Sequence, residues 1–200
     1  MSFYSGLRKC LGGFFKKCFY RCTIKGVENI PNEGGVLICS NHISMHDVIV
    51  MGVASERPIR FMAKKELFKI PLLAQFFKAL GAFPVDRKNN DVAAIKYTVN
   101  MIKEGQVVGI FPQGTRHKRV HPRGTEVKNG AGLVVSRTKC TVVPAAVKTK
   151  GFRIVPFFKK VELTFGAPIP YSEFEHLEND KDKYQKISLM IFDRIVEMID

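Results

Sequence analysis

The chain is 200 residues long and 46% hydrophobic, enough for one domain with a buried core and too apolar for a disordered chain. Lys and Arg number 32 against 18 acids, a formal charge of +14 that points to an anionic partner such as nucleic acid, a membrane surface or a phosphorylated substrate. Five cysteines without a Cys-x-x-Cys pair argue against a disulfide framework or structural zinc, and the thiols read as small buried hydrophobes in a reducing cytosol.

Residues 1–22 carry a helical pattern. Phe3, Leu7, Leu11, Phe14, Phe15, Cys18, Phe19 and Cys22 recur at three- and four-residue spacing, with Arg8, Lys9, Lys16, Lys17 and Arg21 largely off that stripe. Aromatic residues beside cations suit a helix lying in the plane of an anionic membrane, although an amphipathic helix docked on its own domain has the same pattern. No uncharged apolar run reaches the ~18 residues of a spanning helix, and no signal peptide is evident. The expected division is a membrane-associating segment, residues 1–22, and a single domain, residues 23–200.

Short apolar segments then alternate with helical ones. GVLICS reads as a buried strand, HDVIVMGVA as a helix, IRFMAK as a strand, IPLLAQFFKAL as a helix and AFPV as a short strand. NDVAAIKYTVNMIKEG is a helix capped by Asn90 or Asp91 and stopped by Gly105. VVGIF follows as a strand, GAGLVVSRTK as a helix, TVVPAAV and KVELTF as strands, and KDKYQKISLMIFDRIVEMI as a closing amphipathic helix. This order predicts an α/β fold, a mainly parallel mixed sheet flanked by helices, with ligands beyond the carboxyl ends of its strands. The connection from Gln113 to Gly130 lacks apolar periodicity. It carries Arg116, Lys118, Arg119, Arg123 and Lys128 against Glu126, which reads as a functional loop or a solvated flap.

The stretch SNHISMHD contains two candidates for proton transfer. On one helix His42 and Asp47 would point about 140° apart. Ser44-x-x-Asp47, however, has capping-box spacing, so the helix begins after Ser44 and His42 lies on the preceding turn. From there the imidazole can fold back on the Asp47 carboxylate, which would fix its tautomer. A histidine, with a reference pKa of about 6.5, can then act as general base near neutrality. The spacing occurs often by chance, and taken alone it reads rather as a surface histidine beside a cap-supporting aspartate. Ser44 lacks a Gly-x-Ser-x-Gly elbow. The pairs His42/His46 and His117/His121 lack a convincing set of further ligands, so metal catalysis is not expected. Two further segments follow strands. In FPQGTR, Gly114 permits a tight turn, Thr115 offers a hydroxyl and Arg116 a fork suited to phosphate. In GAFPVDR, Arg87 again follows a strand.

Together these segments resemble the 1-acyl-glycerol-3-phosphate acyltransferases. NHISMHD is similar to that family's Asn-His-x-Ser-x-x-Asp block, GAFPVDR to its second, FPQGTR to its Phe-Pro-Glu-Gly-Thr-Arg block, and VVPAAV (Val142 to Val147) to its fourth. AKKELFKIPLL and VKNGAG resemble linking segments, and the order holds over roughly residues 25–150. The resemblance implies transfer of an acyl group from acyl-CoA or acyl-acyl-carrier protein to the sn-2 hydroxyl of lysophosphatidate, giving phosphatidate, with no other cofactor. It implies His42 as general base and Asp47 as its partner, and the oxyanion of such a transfer needs donors, for which backbone N–H groups near the helix start after Ser44 are candidates. It implies Arg87, Gln113, Gly114, Thr115 and Arg116 as substrate-binding residues, and the fourth block on the acyl-binding side. The implied location is peripheral, on the cytoplasmic face of an anionic membrane, with no nucleic-acid partner. Gln113 stands where the family has glutamate: it keeps an acceptor and loses the charge. A non-catalytic lipid-binding protein, or the same chemistry on glycerol-3-phosphate or another lysolipid, are the alternatives.

Overall fold

The computed structural model describes residues 21–79, 81–85, 91–152 and 160–200. Residues 1–20, and with them most of the expected N-terminal helix, lie outside the described residues. Arg21 and Cys22, the end of that helical pattern, are instead in strand β1 (Arg21–Lys25). Cys22 and Ile24 alternate with polar neighbours and pack on the core, a period of two rather than 3.6.

The other strands are β2 (Val36–Ser40), β3 (Ile59–Lys64), β4 (Phe83–Val85), β5 (Val107–Ile110), β6 (Thr141–Thr149) and β7 (Lys160–Phe165). The α-helices among the described residues are α1 (His46–Ala54), α2 (Pro71–Ala79), α3 (Asp91–Lys103), α4 (Gly130–Thr138) and α5 (Lys183–Glu197). One seven-stranded sheet has the order β1-β7-β6-β2-β5-β3-β4. Strands β2 to β6 run parallel; β7 is antiparallel to β6, and β1 parallel to β7. The α/β reading therefore holds, with the two reversed strands confined to one edge.

The continuous apolar run VLICS forms a strand because β2 is covered on both faces. Leu37 and Cys39 face a cluster with Val99 and Ile102 of α3, Val134 and Val135 of α4, and Ile187, Ile191 and Ile195 of α5. Val36 and Ile38 face the other cluster, with Val50, Met51 and Ala54 of α1 and Ile59 and Phe61 of β3. β2 sits between β5 and β6, with its carboxyl end next to theirs. The chain leaves that end for α1 after β2, and for residues 111–130 after β5.

The connection from Gln113 to Gly130 is held down, not structureless. It contains a 3-10 turn, Pro122–Gly124. His117 N–H donates to His42 O (2.8 Å), Arg119 N–H to Phe152 O (2.8 Å) and Lys128 N–H to Pro112 O (2.8 Å). Its middle is tied to Asp200 by His121 (3.0 Å) and by Arg123.

Candidate active site

Ser40 and Asn41 leave β2 fully buried. The next residues turn before α1 begins. Met45 precedes the helix with helical dihedrals and offers no side-chain cap. Ser44 is therefore not the N-cap that the spacing predicted, and only half of the capping box forms, since Asp47 N–H bonds Ser44 O and not its hydroxyl. Ser44 Oγ accepts from His46 N–H (3.2 Å), and Asp47 Oδ2 accepts from Ser44 N–H (2.8 Å).

The same oxygen does more. Asp47 Oδ2 accepts from Ile43 N–H at 2.8 Å and meets His42 Nδ1 at 2.9 Å. His42 thus lies on the turn and folds back onto a carboxylate five residues ahead. Asp47 is 1% exposed and His42 14%. A carboxylate in that position is costly unless it is hydrogen-bonded. Three donors on Oδ2 and the positive end of α1 supply the compensation, while Oδ1, also buried, has no hydrogen-bond partner among the described residues. A carboxylate accepts only, so Nδ1 carries the proton and Nε2 is left with the lone pair.

The imidazole is fixed on its face as well. It stacks on Phe111 with ring centroids 3.8 Å apart and planes 13° apart, and Phe111 stacks on Phe61 at 5.8 Å. Phe61 itself depends on Gly109. A Cβ there would lie 2.2 Å from the Phe61 ring, so only glycine lets that ring cross β5. The backbone of His42 is clamped at both ends: its N–H donates to Gln113 Oε1 (2.7 Å), and its carbonyl accepts from His117 N–H.

These contacts narrow one expectation. The N–H groups of His42, Ile43, Ser44, His46 and Asp47 all have internal acceptors: Gln113, Asp47, Asp47, Ser44 Oγ and Ser44 O. These five amides are therefore not free to hold an oxyanion.

The turn after β5 lies beside this pair. Gly114 adopts φ +71° and its N–H closes the turn on Phe111 O (2.9 Å). Thr115 and Arg116 are exposed, and Thr115 Oγ1 meets His117 Nε2 at 3.2 Å. Gln113 is buried, and both ends of its amide are engaged, on His42 and on Thr125. Arg87 lies outside the described residues. β4 ends two positions earlier, at Val85, on the same edge of the sheet. His46 bonds Ser44 Oγ through Nδ1 at 2.9 Å. Among the described residues no group of three or more His, Cys, Asp or Glu is placed to hold a metal.

Three further residues shape the site. Asn41 locks the end of β2 to β6: Nδ2 donates to Val147 O (2.9 Å) and Oδ1 accepts from Val147 N–H (2.8 Å). Phe111 is the floor under the imidazole. Lys128 runs its stem over Gly114, where a Cβ would meet its Cδ at 2.9 Å, and so brings an ammonium to the turn that carries Arg116. Asn41 and Phe111 stand inside the NHISMHD and FPQGTR blocks, which was the available signal. Lys128 lay among the cations of the loop. The fourth block lies in β6, with Val142, Val143, Ala145, Ala146 and Val147 all buried, and Asn41 ties it to the site through Val147.

A family model described as Acyltransferase matches residues 21–148. The 1-acyl-sn-glycerol-3-phosphate acyltransferase of Bacillus subtilis is 36% identical over 173 residues, 86% of this chain and 84% of that one. The protein of the same name from Streptococcus pneumoniae is 30% identical over 160 residues, and the match spans 76% of this chain and 57% of that one. The crystal structure of the 1-acyl-sn-glycerophosphate acyltransferase PlsC from Thermotoga maritima shares the fold. Its TM-score is 0.67 at 22% identity, over 98% of this chain and 82% of that one. With the matched segment running from β1 almost to the end of β6, through every residue that holds His42 in place, the chain belongs to the acyltransferase family.

Proposed function

We propose that the protein is a 1-acyl-sn-glycerol-3-phosphate O-acyltransferase with His42 as its general base. The observation that carries this reading is the His42–Asp47 contact at 2.9 Å, beside the glycine turn that presents Thr115 and Arg116. The names of the Bacillus and Streptococcus relatives support the acceptor. In the proposed reaction Nε2 of His42 takes the proton from the sn-2 hydroxyl as its oxygen attacks the thioester carbonyl. Asp47 stabilises the imidazolium that forms. The tetrahedral intermediate collapses, the C–S bond breaks, and the imidazolium returns the proton to the departing thiolate. The products are phosphatidate and free thiol. The donor, acyl-CoA or acyl-acyl-carrier protein, is already activated, so no covalent enzyme intermediate, metal or further cofactor enters.

Arg116 and Lys128, with Arg87, are assigned to the acceptor's phosphate. Gly114 lets the backbone approach it, and Thr115 offers a hydroxyl. The lipid acceptor and the charge of +14 support attachment to the cytoplasmic face of an anionic membrane from its surface. No helix among the described residues is long and apolar enough to cross one. The test is a matrix of donors (acyl-CoA, acyl-acyl-carrier protein) against acceptors (lysophosphatidate, glycerol-3-phosphate, other lysolipids), read by product mass. Phosphatidate from lysophosphatidate, abolished in His42→Ala, is the expected result. Full activity in His42→Ala overturns the mechanism, and turnover of glycerol-3-phosphate alone overturns the acceptor.

A further inference from the structure

We propose that Gln113 is a positioning residue for His42, held in register by Thr125, and that its amide matches the fixed direction of the hydrogen bonds there. This rests on His42 being the base. It departs from the sequence expectation that Gln113 contacts substrate.

The network has one consistent set of proton positions. His42 N–H can only donate, so the Gln113 atom facing it at 2.7 Å is the carbonyl oxygen, and the amide nitrogen faces Thr125 Oγ1 at 2.7 Å. Thr125 spends its hydroxyl proton on Pro122 O at 2.6 Å, so its oxygen is free to accept from Gln113. The result is a directed chain: His42 N–H to Gln113, Gln113 to Thr125, Thr125 to Pro122. Thr125 is itself fixed, since its own N–H also donates to Pro122 O (2.9 Å). Gln113 is 3% exposed, so water does not replace a missing partner.

A glutamate at this position keeps the bond from His42 N–H but presents a second acceptor to Thr125. The hydroxyl must then turn away from Pro122, and a second carboxylate arrives beside His42. Two ionisable residues are hydrogen-bonded to His42: Asp47, on its ring, and His117, through its peptide N–H. Glutamine thus fixes the base's peptide while leaving Asp47 the one carboxylate in that network. Because both Gln113 and His117 belong to the segment after β5, that segment sets the height of His42 above its Phe111 floor.

The experiment compares Gln113→Leu, Gln113→Glu, Thr125→Val and Thr125→Ser with wild type for kcat, for KM of lysophosphatidate and for the pH profile. Gln113→Leu and Thr125→Val are expected to lower kcat roughly 10- to 100-fold with KM within about threefold, the scale of a slightly misplaced catalytic group. Thr125→Ser, which keeps the hydroxyl, should retain the wild-type rate. In Gln113→Glu the added carboxylate favours the imidazolium, so the acid limb of the profile should move to higher pH. Wild-type kcat in Gln113→Leu, or a loss confined to KM, overturns the proposal. If Gln113→Leu does not fold, an unmoved acid limb in Gln113→Glu overturns it instead. A wild type inactive in every donor and acceptor pair sinks the acyl-transfer reading. The positioning role is then read directly from hydrogen exchange at His42 N–H, slow in wild type and faster in Thr125→Val if the chain of bonds holds.

Discussion

Asn41 and Val147 are bound to each other through both ends of one side-chain amide, across 106 positions of sequence and at full burial. The pair welds the exit of β2 to β6, so His42, the next residue, starts from a fixed point. Asn41→Ala strands the N–H and carbonyl of Val147 in the core, and each unsatisfied group costs about 1–3 kcal/mol. We expect a loss of about 2–4 kcal/mol in urea unfolding. Asn41→Asp should be nearly as damaging, since its carboxylate has no proton for Val147 O. A loss below about 0.5 kcal/mol in both variants would show that β2 does not need this weld.

Asp47 serves the fold and the chemistry with one oxygen, and the two roles separate by substitution. Asp47→Asn keeps an acceptor for Ile43 N–H, Ser44 N–H and His42 Nδ1 but removes the charge that steadies the imidazolium. We expect kcat to fall roughly 10²- to 10⁴-fold with the melting temperature nearly unchanged. Asp47→Ala should lose activity to the same degree and also about 1 kcal/mol of stability, through the lost cap. Undiminished kcat in Asp47→Asn would remove the aspartate from the mechanism.

The sequence made most of the α/β frame legible because buried parallel strands are written as continuous apolar runs and helices as 3.6-residue stripes. HDVIVMGVA and IRFMAK coincide with α1 and β3. β1 was missed because its five residues adjoin a helical pattern and show only the alternation of Cys22 and Ile24. His42 and Asp47 could be read as partners since capping-box spacing places one before the helix and the other in its first turn. The bonds of Asn41 to Val147 and of Gln113 to Thr125 were not legible, because they form between segments that the sheet brings together. The oxyanion expectation narrows for a local reason: a carboxylate close enough to orient His42 also captures the amides of Ile43 and Ser44.

Cys39 and Cys140 lie inside the sheet's helical face, and burial pushes both thiols above their ordinary value of 9.0. They should resist iodoacetamide at pH 8 in the native protein and react in urea. The linkage has a definite sign. The folded thiols hold their protons more tightly than the unfolded chain does. Their contribution is therefore fully present below about pH 9 and is lost as the pH rises beyond it. The urea midpoint should fall between pH 8 and pH 10, and fall less in Cys39→Ala. Rapid native alkylation of both thiols would show that this face opens.

The last prediction follows a chain of contacts from a glycine to the base. Gly109 lies in β5 with no side chain, and the Phe61 ring of β3 fills the place its Cβ would take, 2.2 Å away. Phe61 stacks on Phe111, and Phe111 on His42. Gly109→Ala must therefore push Phe61 aside. The push is delivered to Phe111 and then to the imidazole, which is held at its other edge by Asp47 and does not move freely with it. We expect a stability loss of about 1–3 kcal/mol from overpacking, and a fall in kcat beyond what the folded fraction explains. Phe61→Leu should restore much of both in the double variant, because the smaller side chain frees the space the new methyl needs. That compensation is the discriminating measurement, read as a coupling energy from a double-mutant cycle. Additive losses from Gly109→Ala and Phe61→Leu would mean that the aromatic stack does not transmit the position of β5 to His42.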